Sequence, residues 1–100
     1  MPLELIILKN GALDRKLSLD PGTYSIGRGP DNDITLQDKT VSAKHAKLEV
    51  DAKKATVTDQ GSTNGVIIGG KRIKEKTFRK KFSFDCGAFS LQGDLSAAAK

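Results

Sequence analysis

Residues 46–59 read AKLEVDAKKATVTD. Ala46, Leu48 and Val50 alternate with Lys47, Glu49 and Asp51. A strand sends successive side chains to opposite faces, so this alternation describes a half-buried strand, one side apolar and the other wet. After Lys53-Lys54 the same period resumes in ATVTD. Moving outward in both directions, period two persists. LELIILK (Leu3–Lys9) ends at Asn10-Gly11, a strong hairpin signal. KLSL meets the turn Asp20-Pro21-Gly22, TYSIGR stops at the loop GPDND, and ITL is brief. Downstream lie VII, Gly69-Gly70, KRI, and the aromatic alternation TFRKKFSFDCGAFSLQ around a turn at Asp85–Gly87. No window of eleven or more residues carries a helical period. Roughly ten short strands punctuated by Gly, Pro, Asn and Asp predict one all-β domain, a sandwich or barrel. The expected domain covers residues 1–93, with 94–100 (DLSAAAK) as a tail or linker.

Composition removes several classes of function. One hundred residues, 37% of them hydrophobic, suffice for one core and not comfortably for two. No apolar run approaches the roughly 18–20 residues that span a bilayer. The opening MPLELIILKN has no basic leader and carries Glu4 within its apolar run, unlike a signal peptide. A lone cysteine, Cys86, excludes an internal disulfide framework and fits a reducing, intracellular setting. With one His and one Cys, the chain cannot build a structural zinc site alone, and neither metal nor cofactor is expected.

Three short motifs come close to known chemistry and fail. GVIIGGK (Gly65–Lys71) has P-loop spacing, but Arg72 occupies the magnesium-holding Ser/Thr position and no helix follows. DNDITLQD resembles a calcium loop without its glycine and terminal glutamate. Ser42 and His45, with Asp59 as a nominal acid, would make a hydrolase, but there is no nucleophile elbow. No enzymatic activity is expected.

What remains is a set of loop signals at strand ends: Gly27-Arg28, Ser42-Ala43-Lys44-His45, and Asp59-Gln60-Gly61-Ser62-Thr63-Asn64-Gly65. Phosphate recognition calls for a permanently charged fork, hydroxyl donors and a backbone that can approach closely. Arg28 supplies the fork, with Gly27 and Gly29 on either side leaving room for an anion. Ser42 offers a hydroxyl; Thr63 and Asn64 offer a hydroxyl and an amide that can pair with extended peptide backbone. Gly61 and Gly65 permit the tight loop between them. Taken singly, Arg28 is also a surface ion-pair partner, Ser42 a turn cap, and Asn64-Gly65 an ordinary type I′ turn.

In this order and spacing, GR, SxxH and GSTNG resemble the forkhead-associated (FHA) domain, over about Leu3 to Gln92. The resemblance implies an eleven-stranded, mostly antiparallel sandwich that binds phosphothreonine peptides on loops at one end. It implies that Arg28 and Ser42 hold the phosphate. Thr63 and Asn64 would hold the phosphothreonine and its neighbouring backbone, with Lys44 and Thr40 as further peptide contacts. His45 would be architectural, tying the loops from beneath, with Gly27, Gly61 and Gly65 completing the structural motif. The sequence departs from the pattern at Thr40, where many members carry a basic reader, at Ala43, and at Arg79-Lys80-Lys81, where a Gly-Asp turn is usual.

The expected partner is thus a phosphothreonine-containing protein, met by a monomer, with no membrane contact and nucleic acid disfavoured. The alternative is an FHA-fold scaffold whose phosphate site is vestigial. Such a scaffold would bind an acidic partner or nucleic acid through residues 71–81, KRIKEKTFRKK, which carry seven basic residues and one acid of a chain with net charge +5. The bland account of that segment is an edge strand protected by lysines. Its residues would alternate across a hairpin and enrich acidic ligands near the site.

Overall fold

The computed structural model describes residues 3–51 and 53–95. Eleven strands form two sheets. Their order is β1 (Leu3–Lys9), β2 (Ala12–Leu19), β3 (Gly22–Gly27), β4 (Ile34–Thr35), β5 (Ala46–Val50), β6 (Ala55–Asp59), β7 (Val66–Ile68), β8 (Lys71–Ile73), β9 (Glu75–Phe78), β10 (Lys81–Cys86) and β11 (Phe89–Asp94). One sheet runs β2-β1-β11-β10-β7-β8 and the other β4-β3-β5-β6-β9. Every pairing is antiparallel except the short β3–β4 ladder. The architecture is the expected FHA-type sandwich.

Alternation sets which side chains meet between the sheets. Leu3, Leu5 and Ile7 from β1 and Phe82, Phe84 and Cys86 from β10 face Leu48, Val50, Ala55 and Val57 from the other sheet, all buried. Phe82 lies across from Gly93, and a β-carbon there would come within 2.5 Å of its ring. That glycine is the space the ring occupies. Burial pushes the Cys86 thiol up to about 12, with the Asp85 and Asp59 charges adding to the effect. It is packing material and no nucleophile.

Turn chemistry follows the sequence closely. Asn10 and Gly11 both take positive φ, 52° and 83°, closing β1 onto β2. Gly69 and Gly70 do the same at 59° and 80°, so GVIIGGK is a β-hairpin with its phosphate-loop spacing a coincidence. The turn near Cys86 falls one residue later than expected, on Gly87-Ala88.

Two expectations need correction. The domain does not stop at 93: Asp94 pairs with Lys81, and Leu95 is buried in the core with its amide on the Lys80 carbonyl. The remainder of the expected tail, 96–100, lies outside the described residues. Nor is the basic segment a hairpin. Its β8 part edges one sheet and its β9 part edges the other, so residues 71–81 cross from sheet to sheet.

Candidate functional site

Three loops gather at one end of the sandwich. The loop from β4 to β5 is anchored by side chains that enter the core, Leu36, Val41 and His45, leaving Lys39, Thr40 and Ser42 on its outer side. The β3–β4 loop docks on it through backbone bonds, Arg28 N–H to the Ser42 carbonyl (3.0 Å) and Gly29 N–H to the Ala43 carbonyl (3.4 Å). Buried Asn32 adds side-chain bonds to the Gly29 and Ala43 carbonyls. A β-carbon on Gly27 would sit 2.2 Å from the Ala43 oxygen. The room at Gly27 is therefore taken by this loop contact, and not by space for an anion as the sequence suggested.

The β6–β7 loop closes the arrangement. Asp59 accepts bonds from the Ser62 amide (2.9 Å) and hydroxyl (2.7 Å), and Gly61 and Gly65 adopt φ near 80°. Burial works against the Asp59 charge. The Ser62 bonds and the Arg72 guanidinium at 3.8 Å outweigh it and hold the carboxyl below its ordinary value. Arg72 also donates to the Ser62 carbonyl (2.8 Å) and the Thr63 carbonyl (3.4 Å), and its chain packs where a β-carbon on Gly65 would be. The sequence marked Arg72 only as a mismatch in the P-loop spacing and as part of a basic run; its work is inside the loop.

His45 is fully buried between the loops. Its Nδ1 accepts the Ser42 backbone N–H (3.1 Å), which leaves Nε2–H to donate to the Gly65 carbonyl (2.8 Å). Its own carbonyl accepts from Gln60 N–H. Both ring nitrogens are thus committed to backbone, and neither touches the Ser42 hydroxyl. The hydrolase dyad is not formed, because the Ser42 oxygen instead accepts the Thr63 N–H at 3.0 Å. That acceptor bond leaves the hydroxyl hydrogen free to donate outward.

Arg28, Lys39, Thr40, Val41, Ser42, Thr63 and Asn64 line one open depression of about 150 Å³. Larger depressions lie on the β3–β5–β6–β9 face and beside Arg15 and Phe89. Acidic side chains line both of those and none lines the smaller one. The Arg28 and Lys39 side chains are exposed and carry no ion pair among the described residues. Asn64 donates to the Thr40 carbonyl (2.7 Å), keeping its amide oxygen open, and is not a type I′ turn residue.

One of the expected peptide contacts falls elsewhere, and another lines the depression with its hydroxyl already bonded. Lys44 does not line the depression; Lys39 does. Side chains along this loop are dealt out by Val41 and His45 going inward, which the sequence alone does not reveal. The Thr40 hydroxyl is spent on Asp38 and on the Ala88 amide (2.8 Å), so Thr40 contributes its carbonyl to Asn64 and no free donor. The calcium-like acids also diverge: Asp33 binds Ser25 and Asp38 binds Thr40. No cluster fit to hold a metal occurs among the described residues.

A sandwich with this topology and this convergence of loops defines the FHA domain class. Within it, the chain belongs to the family described as the cytoplasmic domain of an inner membrane component of the T3SS, whose model matches residues 8–93. The FHA domain of CT664 from Chlamydia trachomatis superposes with TM-score 0.79 at 29% identity, over 91% of this chain and 94% of that one. Among curated proteins it is similar to the glycogen accumulation regulator GarA of Mycolicibacterium smegmatis, 33% identical over 88 residues, 87% of this chain and 56% of GarA. It is also similar to the oxoglutarate dehydrogenase inhibitor of Corynebacterium glutamicum, at 31% identity, over 87% of this chain and 62% of that one. The chain therefore spans little more than half the length of these relatives. Among the described residues, no helix is long and apolar enough to cross a membrane.

Proposed function

We propose that this domain is a non-enzymatic module that binds a phosphothreonine-containing segment of a partner protein inside the cell. The observation that carries this reading is the depression lined by Arg28, Lys39 and Ser42. Among the described residues, it brings two cations without ion-pair partners together with a hydroxyl whose hydrogen is free, and no carboxylate lines it. A phosphate dianion supplies the charge and the acceptors such a set lacks. Thr63 and the Asn64 amide oxygen stand at its rim, where the peptide backbone would pass. His45, Asn32 and Arg72 do not reach that space; they hold the loops that do. Relatives named as a regulator and an inhibitor fit a protein that acts by binding.

The basic-segment alternative finds less support. Arg72 is engaged with Asp59 and Ser62, Lys71 and Lys76 stand on edge strands of two different sheets, and Lys81 lies on β10 inside the first sheet. Calorimetry with one peptide in three forms, phosphothreonine, phosphoserine and unmodified, tests the proposal. The unmodified peptide should not bind measurably. The threonine methyl should favour the first form over the second by about 1 kcal/mol, roughly fivefold. Equal binding of the phosphorylated and unmodified forms would sink the reading.

A further inference from the structure

The end of the sandwich opposite the loops carries a feature the phosphopeptide reading does not use. β5 leaves the site loop and reaches the 51–54 turn, and β6 returns from it. Beside that turn, Ala55 pairs with Phe78, so Lys54 and Arg79 stand one step beyond the same rung. Lys80 and Lys81 continue from there, with the Lys80 carbonyl on the Leu95 amide and Lys81 opposite Asp94. Folding thus joins two basic runs separated in sequence, Lys53-Lys54 and Arg79-Lys80-Lys81. All five side chains are exposed, and none is ion-paired among the described residues. The Asp51 carboxylate in the turn accepts the Lys53 and Lys54 amides, Glu49 and Glu75 line the depression beside Lys54, and Asp94 stands opposite Lys81.

We propose that this pole rests against the anionic headgroups of a membrane. Four of the five cations are lysines, compact charges on long stems, suited to a diffuse array of phosphates more than to a single bidentate ligand. The cluster occupies turn and strand ends and offers no exposed aromatic ring on which a base could stack: Phe78 is half-buried and Phe82 is buried. Polybasic surfaces of this size are drawn to anionic leaflets by about 1 kcal/mol per residue. The family to which the chain belongs is described as the cytoplasmic domain of an inner membrane component, a setting in which such a surface would meet a membrane. With the pole on a membrane, the loop end a strand's length away, roughly 15 Å, faces the opposite direction, free to take its ligand.

Co-sedimentation with vesicles of phosphatidylglycerol in phosphatidylcholine, against phosphatidylcholine alone, tests this at low and high salt. The protein should partition onto the anionic vesicles only, and less so as salt rises. Lys53→Glu with Lys54→Glu should weaken partitioning at least about 25-fold, and so should Lys80→Glu with Lys81→Glu. The milder Lys→Gln pairs, checked by circular dichroism, should fall in the same direction. Arg28→Ala should leave partitioning unchanged, which separates this proposal from the phosphopeptide reading. Equal partitioning on neutral vesicles, dependence on only one of the two pairs, or capture of duplex DNA in place of vesicles would overturn it.

Discussion

The two ends of this sandwich spend charge in opposite ways. The loop end exposes two cations in its depression, Arg28 and Lys39, surrounded by side chains whose polar atoms are bonded to other loops. The far end exposes five, none of them held in an ion pair among the described residues. Charge alone would assign ligand binding to the far end. The proposed function assigns selective binding to the loop end. A phosphate reader needs donors fixed in direction before the ligand arrives, since ordering long side chains afterwards costs free energy that affinity must offset. A surface that meets a diffuse array of charge needs no such fixing. Specificity therefore tracks the density of hydrogen bonds behind the donors, and not the number of positive charges.

The largest effect is expected from Arg28→Ala. Losing a charge-assisted, bidentate phosphate contact costs about 2–5 kcal/mol, enough to carry a micromolar complex beyond calorimetric detection with the fold unchanged. Binding within twofold of wild type would remove the phosphate assignment.

His45→Ala probes what stands behind the donors. Truncation strips partners from the Ser42 amide and the Gly65 carbonyl in a fully buried position, at a cost of about 1–3 kcal/mol. The melting temperature should drop by several degrees. An unchanged melting curve accompanied by lost binding would place His45 on the ligand.

Asp59 should reveal itself through acid. Its carboxyl is held below the ordinary range when folded, so the stability it contributes is complete above the unfolded value near 4 and is lost as pH falls through the folded value. The melting-temperature gap between wild type and Asp59→Asn should be widest at neutral pH and narrow below about pH 4. A gap that stays constant with pH would mean the Ser62 and Arg72 contacts do not depend on the charge.

The smallest effect is expected from the far end. Lys80→Glu with Lys81→Glu should change phosphopeptide affinity by less than about twofold, because at physiological salt a strand's length exceeds the screening length of about 8 Å. A larger loss would show the two ends are coupled and revive the basic segment as part of the peptide site.

Much of this molecule was readable in one dimension because its rules are local. Period-two alternation in AKLEVD and FSF marks the inward faces, and Asn10-Gly11 and Gly69-Gly70 mark hairpins, since each depends on backbone geometry within a few residues. The motif GR, SxxH and GSTNG likewise led to the loop end, where Arg28, Ser42, Thr63 and Asn64 do meet. Tertiary structure alone decided the rest. That Lys39 lines the depression and Lys44 does not depends on Val41 and His45 pointing into the core. That Gly27 makes room for Ala43, and that Arg72 braces a loop, depends on backbones distant in sequence touching. The joining of Lys53-Lys54 to Arg79-Lys80-Lys81 rests on the β6–β9 pairing, which neither segment encodes by itself. A sequence determines the period and the turns because neighbouring residues set them; which side chains share a site is set by which strands pair, and that is a property of the whole fold.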